Sequence, residues 1–272
     1  MMRSLWSAAS GMISQQTAVD TIANNLANVN TTGYKNEKTE FKSLLYQTLQ
    51  TRTTTANGEQ KPISAQVGLG TRVAAITSNF TQGAHLDSES YTAMAIDGDG
   101  FFAVRGADGN TYYTRNGDFK LSVGADGNLT LVTADGFPVL DTNGNPIVFP
   151  GGIQASKMMV SSEGALGYLD GQNNYVDLNQ SIGLFQFNNP AGLDKLSNSL
   201  LGVTDASGAP MNEATTPNLV LSTVRQGYLE GSNVQVADEM VNLIVAQRAY
   251  EMNSKAIQAS DDMLGQANQL KR

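Results

Sequence analysis

Residues 1–30, MMRSLWSAASGMISQQTAVDTIANNLANVN, and residues 236–270, VADEMVNLIVAQRAYEMNSKAIQASDDMLGQANQL, each place an apolar residue at every seventh position. In the first, Leu5, Met12, Val19 and Leu26 are seven apart, and Ile22 and Val29 complete the stripe three residues on. In the second, Val236, Leu243, Tyr250, Ile257 and Leu264 repeat the pattern. A heptad keeps one seam of a helix turned toward a partner, so both ends of the chain read as long helices that pack on other helices.

Charge bears on how many partners each end needs. Residues 1–30 hold two charged side chains, Arg3 and Asp20, where an ordinary globular sequence has about a quarter. The positions off the stripe carry Ala8, Ala9, Ser10, Gly11, Gln15, Gln16, Ala18, Ala23, Ala27 and several asparagines. Small residues and uncharged amides suit protein on several sides better than water on one. The plainer reading is a coiled-coil hairpin that closes the ends of a monomer.

Working inward, the first helix should stop near Asn28, because Asn30-Thr31-Thr32-Gly33 is turn chemistry and Gly33 can adopt the left-handed conformation. Tyr34–Gln50 is mixed, with Phe41, Leu44, Leu45 and Leu49 spaced as a short amphipathic segment. Thr51–Ala65, polar and Thr-rich with Asn57-Gly58 and Pro62, reads as a loop or hairpin extension. From Val67 the period becomes two, with strands expected at Val67–Thr77 and Tyr91–Ile96. Asx-Gly turns then recur about every ten residues, from Asp97-Gly98-Asp99-Gly100 to Asn143-Gly144-Asn145-Pro146, between segments such as FFAV, TYYTR, FKLSV and LTLVT. Such turns supply the positive φ angles of tight hairpins and imply a β-meander or small barrel. Leu219–Glu230 is expected to pair with the strand near Val67–Thr77, and Ser232 or Asn233 to cap the last helix.

The fold class expected is therefore α+β, with terminal heptad helices forming an N- and C-terminal coiled-coil domain around a linking domain and an inserted all-β domain. The boundaries are 1–35 plus 232–272 for the helical core, 36–86 plus 206–231 for the linking domain with its extension at 51–65, and 87–205 for the outer β domain. Net charge is −8 over 272 residues. Basic and acidic side chains number 7 and 4 in residues 1–86, 5 and 14 in 87–205, and 5 and 7 in 206–272, a split of +3, −9 and −2. The acidic middle is thus the part expected to meet solvent.

Composition excludes several chemistries. There is no cysteine and one histidine, His85, so thiolate sites and histidine triads lack material. An acidic chain is a poor partner for nucleic acid. No run of about 18 apolar residues spans a membrane, and the N-terminus makes a poor signal peptide. Asp97-Gly98-Asp99-Gly100 lacks the late Glu of a calcium loop and reads as a hairpin turn. Carboxylate pairs drawn from Asp97, Asp99, Asp118 or Asp126 are what any acidic β domain offers. Gly68-Leu69-Gly70 has no following helix to cradle a phosphate, and Tyr112, Tyr113 and Phe119 lack interleaved cations for stacking on bases. No catalytic, metal or cofactor site is expected.

The two ends also carry motifs. Asn24–Lys35, NNLANVNTTGYK, resembles the N-terminal signature of the axial proteins of the bacterial flagellum, the rod and hook family. Gly227–Ile257, GYLEGSNVQVADEMVNLIVAQRAYEMNSKAI, resembles their C-terminal signature, and Ala95–Phe102, AIDGDGFF, the opening of their central β domain. The signature positions are Asn24, Asn25, Asn28, Gly33, Tyr34, Gln247, Arg248 and Tyr250. Phe41–Gln50 and Val67-Gly68-Leu69-Gly70-Thr71-Arg72-Val73 are similar to the distal rod branch, with proximal rod and hook branches as alternatives.

The resemblance implies a structural subunit without cofactor or catalysis. It implies a helical homopolymer built through Leu5, Met12, Val19, Ile22, Leu26, Val236, Leu243, Tyr250, Ile257 and Leu264. It implies as partners further copies of the chain, proximal rod proteins, the hook or hook-junction protein, periplasmic and outer-membrane ring proteins, and the export apparatus and rod cap. The location implied is a periplasm-spanning rod reached by type III export without a cleaved signal peptide. A secreted β-rich binding protein whose terminal helices form an intramolecular hairpin is the rival from another class.

Overall fold

The computed structural model describes residues 2–50, 65–124, 126–170, 172 and 174–270. Helix α1 spans Met2–Ala27 and helix α2 spans Val236–Gln269. The chain divides into two compact units. Unit 1 comprises 1–27, 37–78 and 235–272, and unit 2 comprises 28–36 and 79–234.

In unit 1 the two helices pack on each other and α1 packs on two strands, β1 (Glu37–Ser43) and the later β4 (Thr71–Ser78). These pair antiparallel from Glu37↔Ser78 to Ser43↔Thr71, with a bulge at Glu40/Phe41. Between them β2 (Tyr46–Gln50) pairs with β3 (Ala65–Gly68). The amphipathic segment expected at Phe41–Leu49 is therefore strand. The break between β1 and β2 at Leu44-Leu45 and a second bulge between Thr48 and Gln50 interrupt the alternation, so the side chains are spaced as on a helix while the backbone bonds go to β4 and β3. Of the loop expected at Thr51–Ala65, Ala65 opens β3 and the remainder lies outside the described residues.

Unit 2 contains short strands: β5 (His85–Asp87), β6 (Met94–Asp97), β7 (Phe101–Arg105), β8 (Thr111–Thr114), β9 (Lys120–Val123) and β10 (Leu129–Val132). They are followed by β11 (Val148–Phe149), β12 (Met158–Val160), β13 (Ala165–Leu169), β14 (Tyr175–Ser181) and β15 (Leu184–Gln186). The last are β16 (Asp194–Lys195), β17 (Leu201–Gly202), β18 (Met211–Asn212), β19 (Thr223–Gln226) and β20 (Tyr228–Glu230). The largest sheet runs β16-β17-β8-β7-β15-β18, and the others hold two or three strands each.

The strands fall into several open sheets and not into one barrel, and two of those sheets, β9-β10-β11 and β12-β13-β14, are meanders as expected. Hairpins do form at β7–β8 and β9–β10. The turns at Asp97–Gly100 and Asn116–Asp118 instead carry the chain from one sheet to another, since β6 pairs with β19 and β9 with β10. Asp97 is not in a hairpin but pairs across strands with Arg225 at 2.7 Å. Leu219–Glu230 does not join the Val67–Thr77 strand: β19 pairs with β6, and β20 with β5. The expected strand is itself divided between β3, which pairs with β2, and β4, whose partner β1 is closer in sequence and matches it from Thr71 to Ser78.

The run Phe101-Phe102-Ala103-Val104 in β7 explains the core. A central strand covered on both faces is apolar at every position. Phe102 and Val104 enter a cluster with Met94, Ile96, Phe119, Leu131, Val139, Ile147, Phe149 and Leu166. Phe101 and Ala103, on the opposite face, join Tyr113, Leu140, Phe187 and Leu193. Edge-to-face ring pairs, Phe102–Phe119 at 5.0 Å and Tyr113–Phe187 at 4.9 Å, add directionality to the burial.

Candidate functional site

The helix pair of unit 1 carries the first group of expected residues, and within the chain the two helices meet along another line. The buried positions of α1 are Ala8, Ser14, Ala18, Thr21 and Asn25, and those of α2 are Glu239, Ala246 and Ser260. They form heptad lines of small and polar side chains. Ser4 Oγ lies 3.3 Å from Ser260 Oγ, and a Cβ built on Gly11 would stand 2.8 Å from the Asn253 amide nitrogen. Small residues let the helices approach closely, and larger ones are excluded from the seam.

The apolar stripe is displaced to the flanks. Leu5, Met12, Val19, Ile22 and Leu26 are half-buried, as are Leu243 and Ile257, while Val236, Tyr250 and Leu264 are exposed. None of the ten lies fully buried within the chain. Further large apolar side chains face outward, among them Trp6 at 73 %, Ile13 at 66 %, Ile244 at 56 %, Val245 at 62 % and Met252 at 65 % exposure. Val19, Gln16, Gln247, Tyr250 and Glu251 line a groove of about 380 Å³. Beside it Arg248 pairs with Glu251 at 2.8 Å. Burying an aliphatic or aromatic side chain is worth about 1.5–3 kcal/mol, so this face gains most by acquiring a protein cover.

The signature residues do structural work locally. Asn25 is fully buried, and its side-chain amide donates to Glu37 O and accepts from Glu37 N, both at 2.8 Å, imitating a strand neighbour for β1. Asn24 is exposed on α1. In unit 2 the Asn28 carbonyl accepts from Thr31 N, and its side-chain oxygen from the Thr31 hydroxyl at 3.0 Å, closing the turn after α1. Gly33 has φ +69°, and a Cβ there would lie 2.7 Å from the backbone of Arg115. Only glycine meets both conditions.

Gly33 leads to a feature that sequence patterning missed. Its N–H donates to Glu230 O at 2.8 Å, and Lys35 Nζ reaches Glu230 Oε1 at 2.6 Å and Thr81 O at 2.8 Å. Gly83 N also donates to Oε1, at 3.0 Å. Arg115 Nη1 lies 3.3 Å from Oε2, Nη2 donates to Gly98 O at 2.7 Å, and the guanidinium sits 4.9 Å above the Phe101 ring. Lys35, Arg115 and Glu230 are all almost wholly buried. Burial pushes the Lys35 ammonium below the usual lysine range despite Glu230 beside it, and it lowers Arg115 in the same way. Two cations share one carboxylate, which binds residues 33–35, 81–83, 98–115 and 230 into one place. Four stretches apart in sequence meet there, and a lone Lys, Arg or Glu in a polar motif carries no sign of it.

The expected helix cap is also reassigned. Gln235 occupies the N-cap of α2 without a side-chain bond, while Asn233 turns its amide to residues 36, 79 and 81. Those three residues offer it more hydrogen bonds than a helix end would. His85 lies in β5 with its ring beside the Gln82 amide.

Comparison with known proteins matches three family descriptions along the chain. Residues 5–35 match "Flagella basal body rod protein", 95–168 match "Flagellar hook protein FlgE/F/G D1 domain", and 225–270 match "Flagellar basal body rod FlgEFG protein C-terminal". The chain is 46 % identical to the flagellar basal-body rod protein FlgG of Borreliella burgdorferi over 275 residues, covering all of both. It is 41 % identical to that of Agrobacterium fabrum over 96 % of this chain and 97 % of the relative. It is 37 % identical to that of Bacillus subtilis over the full length of both. The matched ends contain the helices and the Lys35 and Glu230 segments.

Proposed function

This chain belongs to the flagellar basal-body rod protein family, and from that premise we infer how its parts serve a rod. It is a structural subunit of the flagellum's rod. The finer reading is the distal rod, a rigid tubular drive shaft that transmits torque from motor to hook. In that shaft the subunit works without catalysis or cofactor.

The carrying observation is the outward apolar face of the helix pair. The chain closes its own seam with small residues and leaves Trp6, Ile13, Ile244, Val245 and Met252 uncovered. In the rod that face is covered by the helices of neighbouring copies, forming a coiled-coil core from 1–35 and 232–272. Residues 36–86 with 206–231 act as the linking part, and 87–205 as the outer β domain, a division whose boundaries cross those of the two compact units. The extension within residues 34–77 lies along adjacent copies and resists sliding. Proximal rod proteins, hook or hook-junction protein, ring proteins, rod cap and export apparatus are the neighbours this position calls for. The route is type III export without a cleaved signal. None of the described helices is long and apolar enough to cross a membrane.

The test is Ile244→Asp in the full chain, expressed in cells lacking their own copy. The side chain is 56 % exposed, so the purified monomer should keep its helicity and melting temperature. Basal bodies isolated from these cells should stop short of a distal rod. Complete rods of normal length would overturn the assignment of this face.

A further inference from the structure

The backbone passes between the two compact units at four places: 27/28, 36/37, 78/79 and 234/235. Three of them start from one cluster inside unit 2. Asn233 Oδ1 accepts from Asn36 N at 2.7 Å. Its Nδ2 donates to Asn79 O at 2.8 Å, to Thr81 O at 3.1 Å and to the Thr81 hydroxyl at 3.0 Å. The loop closes independently, because Asn79 N donates to Asn36 O at 2.9 Å and Asn233 N to Tyr34 O at 3.4 Å. The surroundings define the orientation of the amide, with an N–H facing its oxygen and oxygens facing its nitrogen.

We propose that the Asn233 side chain is a clasp that gathers the segments at 36, 79 and 233 so that they release from unit 2 together and not one by one. No other side chain of that size serves. An aspartate keeps the acceptor and turns repelling oxygens on two carbonyls, a leucine keeps neither, and a glutamine places the amide one methylene too far out. Beneath the clasp, the Lys35–Glu230 pair anchors the neighbouring residues of two of the same segments, 35 and 230. A load entering unit 2 is thereby divided among three backbones. That use rests on the rod reading, whereas the clasp itself does not.

Amide hydrogen exchange on the full-length monomer tests the clasp apart from any role in a flagellum. In Asn233→Ala the amides of Asn36, Asn79 and Thr81 should all exchange roughly tenfold faster or more, while those of Val139 and Leu140 in the core keep their rates. Asn233→Asp is the sharper arm, since the acceptor for Asn36 N remains. A clasp predicts that Asn36 accelerates together with Asn79 and Thr81, and independent bonds predict that Asn36 stays protected. Should a variant fail to fold, exchange of the unaltered chain in mild denaturant decides the matter. There the three amides should share one opening equilibrium, below that of Leu140. Protection of Asn36 in Asn233→Asp, unchanged rates in Asn233→Ala, or three unequal openings in the unaltered chain would each overturn the proposal.

Discussion

At the scale of single residues, Glu230 shows how much one buried carboxylate can organise. It accepts from Lys35, Arg115 and Gly83 while its backbone oxygen takes the N–H of Gly33. Glu230→Gln takes from two buried cations the one carboxylate that both contact, at a cost of about 3–5 kcal/mol. Thermal unfolding of unit 2 should then fall by roughly 6–20 °C, read by the near-ultraviolet signal of its aromatic clusters. Gly33→Ala meets positive φ and the Arg115 backbone together and should cost about 2–4 kcal/mol in urea unfolding, with Asn at the same position costing less only if the clash relaxes. Tyr113 offers a pH test. Burial pushes its phenol up to about 12 from an ordinary value near 10, so between those values the unfolded chain has lost a proton that the folded chain retains. The stabilisation is full below about pH 10 and lost as pH rises toward 12. Tyr113→Phe should be flatter than the unaltered chain in urea midpoint across that window, and identical slopes would refute the assignment.

At the scale of elements, the two helices were legible as helices and their boundaries fell within a residue or two of those expected. Their seam was not. Heptads of Leu, Met and Val announced that the helices have a partner, but the residues meeting inside the chain are Ala8, Gly11, Ser14 and Ala18 on one side and Ala246, Asn253 and Ser260 on the other. A periodicity tells which residues share a face and is silent about which of two adjacent faces the first partner takes. Gly11→Leu should therefore loosen the monomer, lowering its helical content and melting temperature, whereas Ile244→Asp should not. If Gly11→Leu left the monomer's circular dichroism unchanged, the small-residue seam would be wrong. The amphipathic spacing of Phe41–Leu49 hid two strands for a related reason, since the break at Leu44-Leu45 and a bulge between Thr48 and Gln50 disguise strand alternation.

At the scale of the whole molecule, the chain is two interleaved units, and residues 28–36 belong with the β unit despite lying beside α1 in sequence. Limited proteolysis of the monomer should trim the helices and stop at fragments that begin by Asn28 and end beyond Asn233. Fragments beginning after Lys35 would show that the Glu230 cluster does not hold this segment. By itself the sequence determined the two terminal helices, the β-rich middle, the uneven charge and the family, because periodicity, turn chemistry and motifs are local properties. Only the tertiary structure decided which strands pair, which helix face is filled from within, and that Lys35, Arg115, Glu230 and Asn233 converge. The convergence is made of contacts across 115 to nearly 200 residues of chain, chosen by competition among many possible neighbours, and no local pattern records the winner.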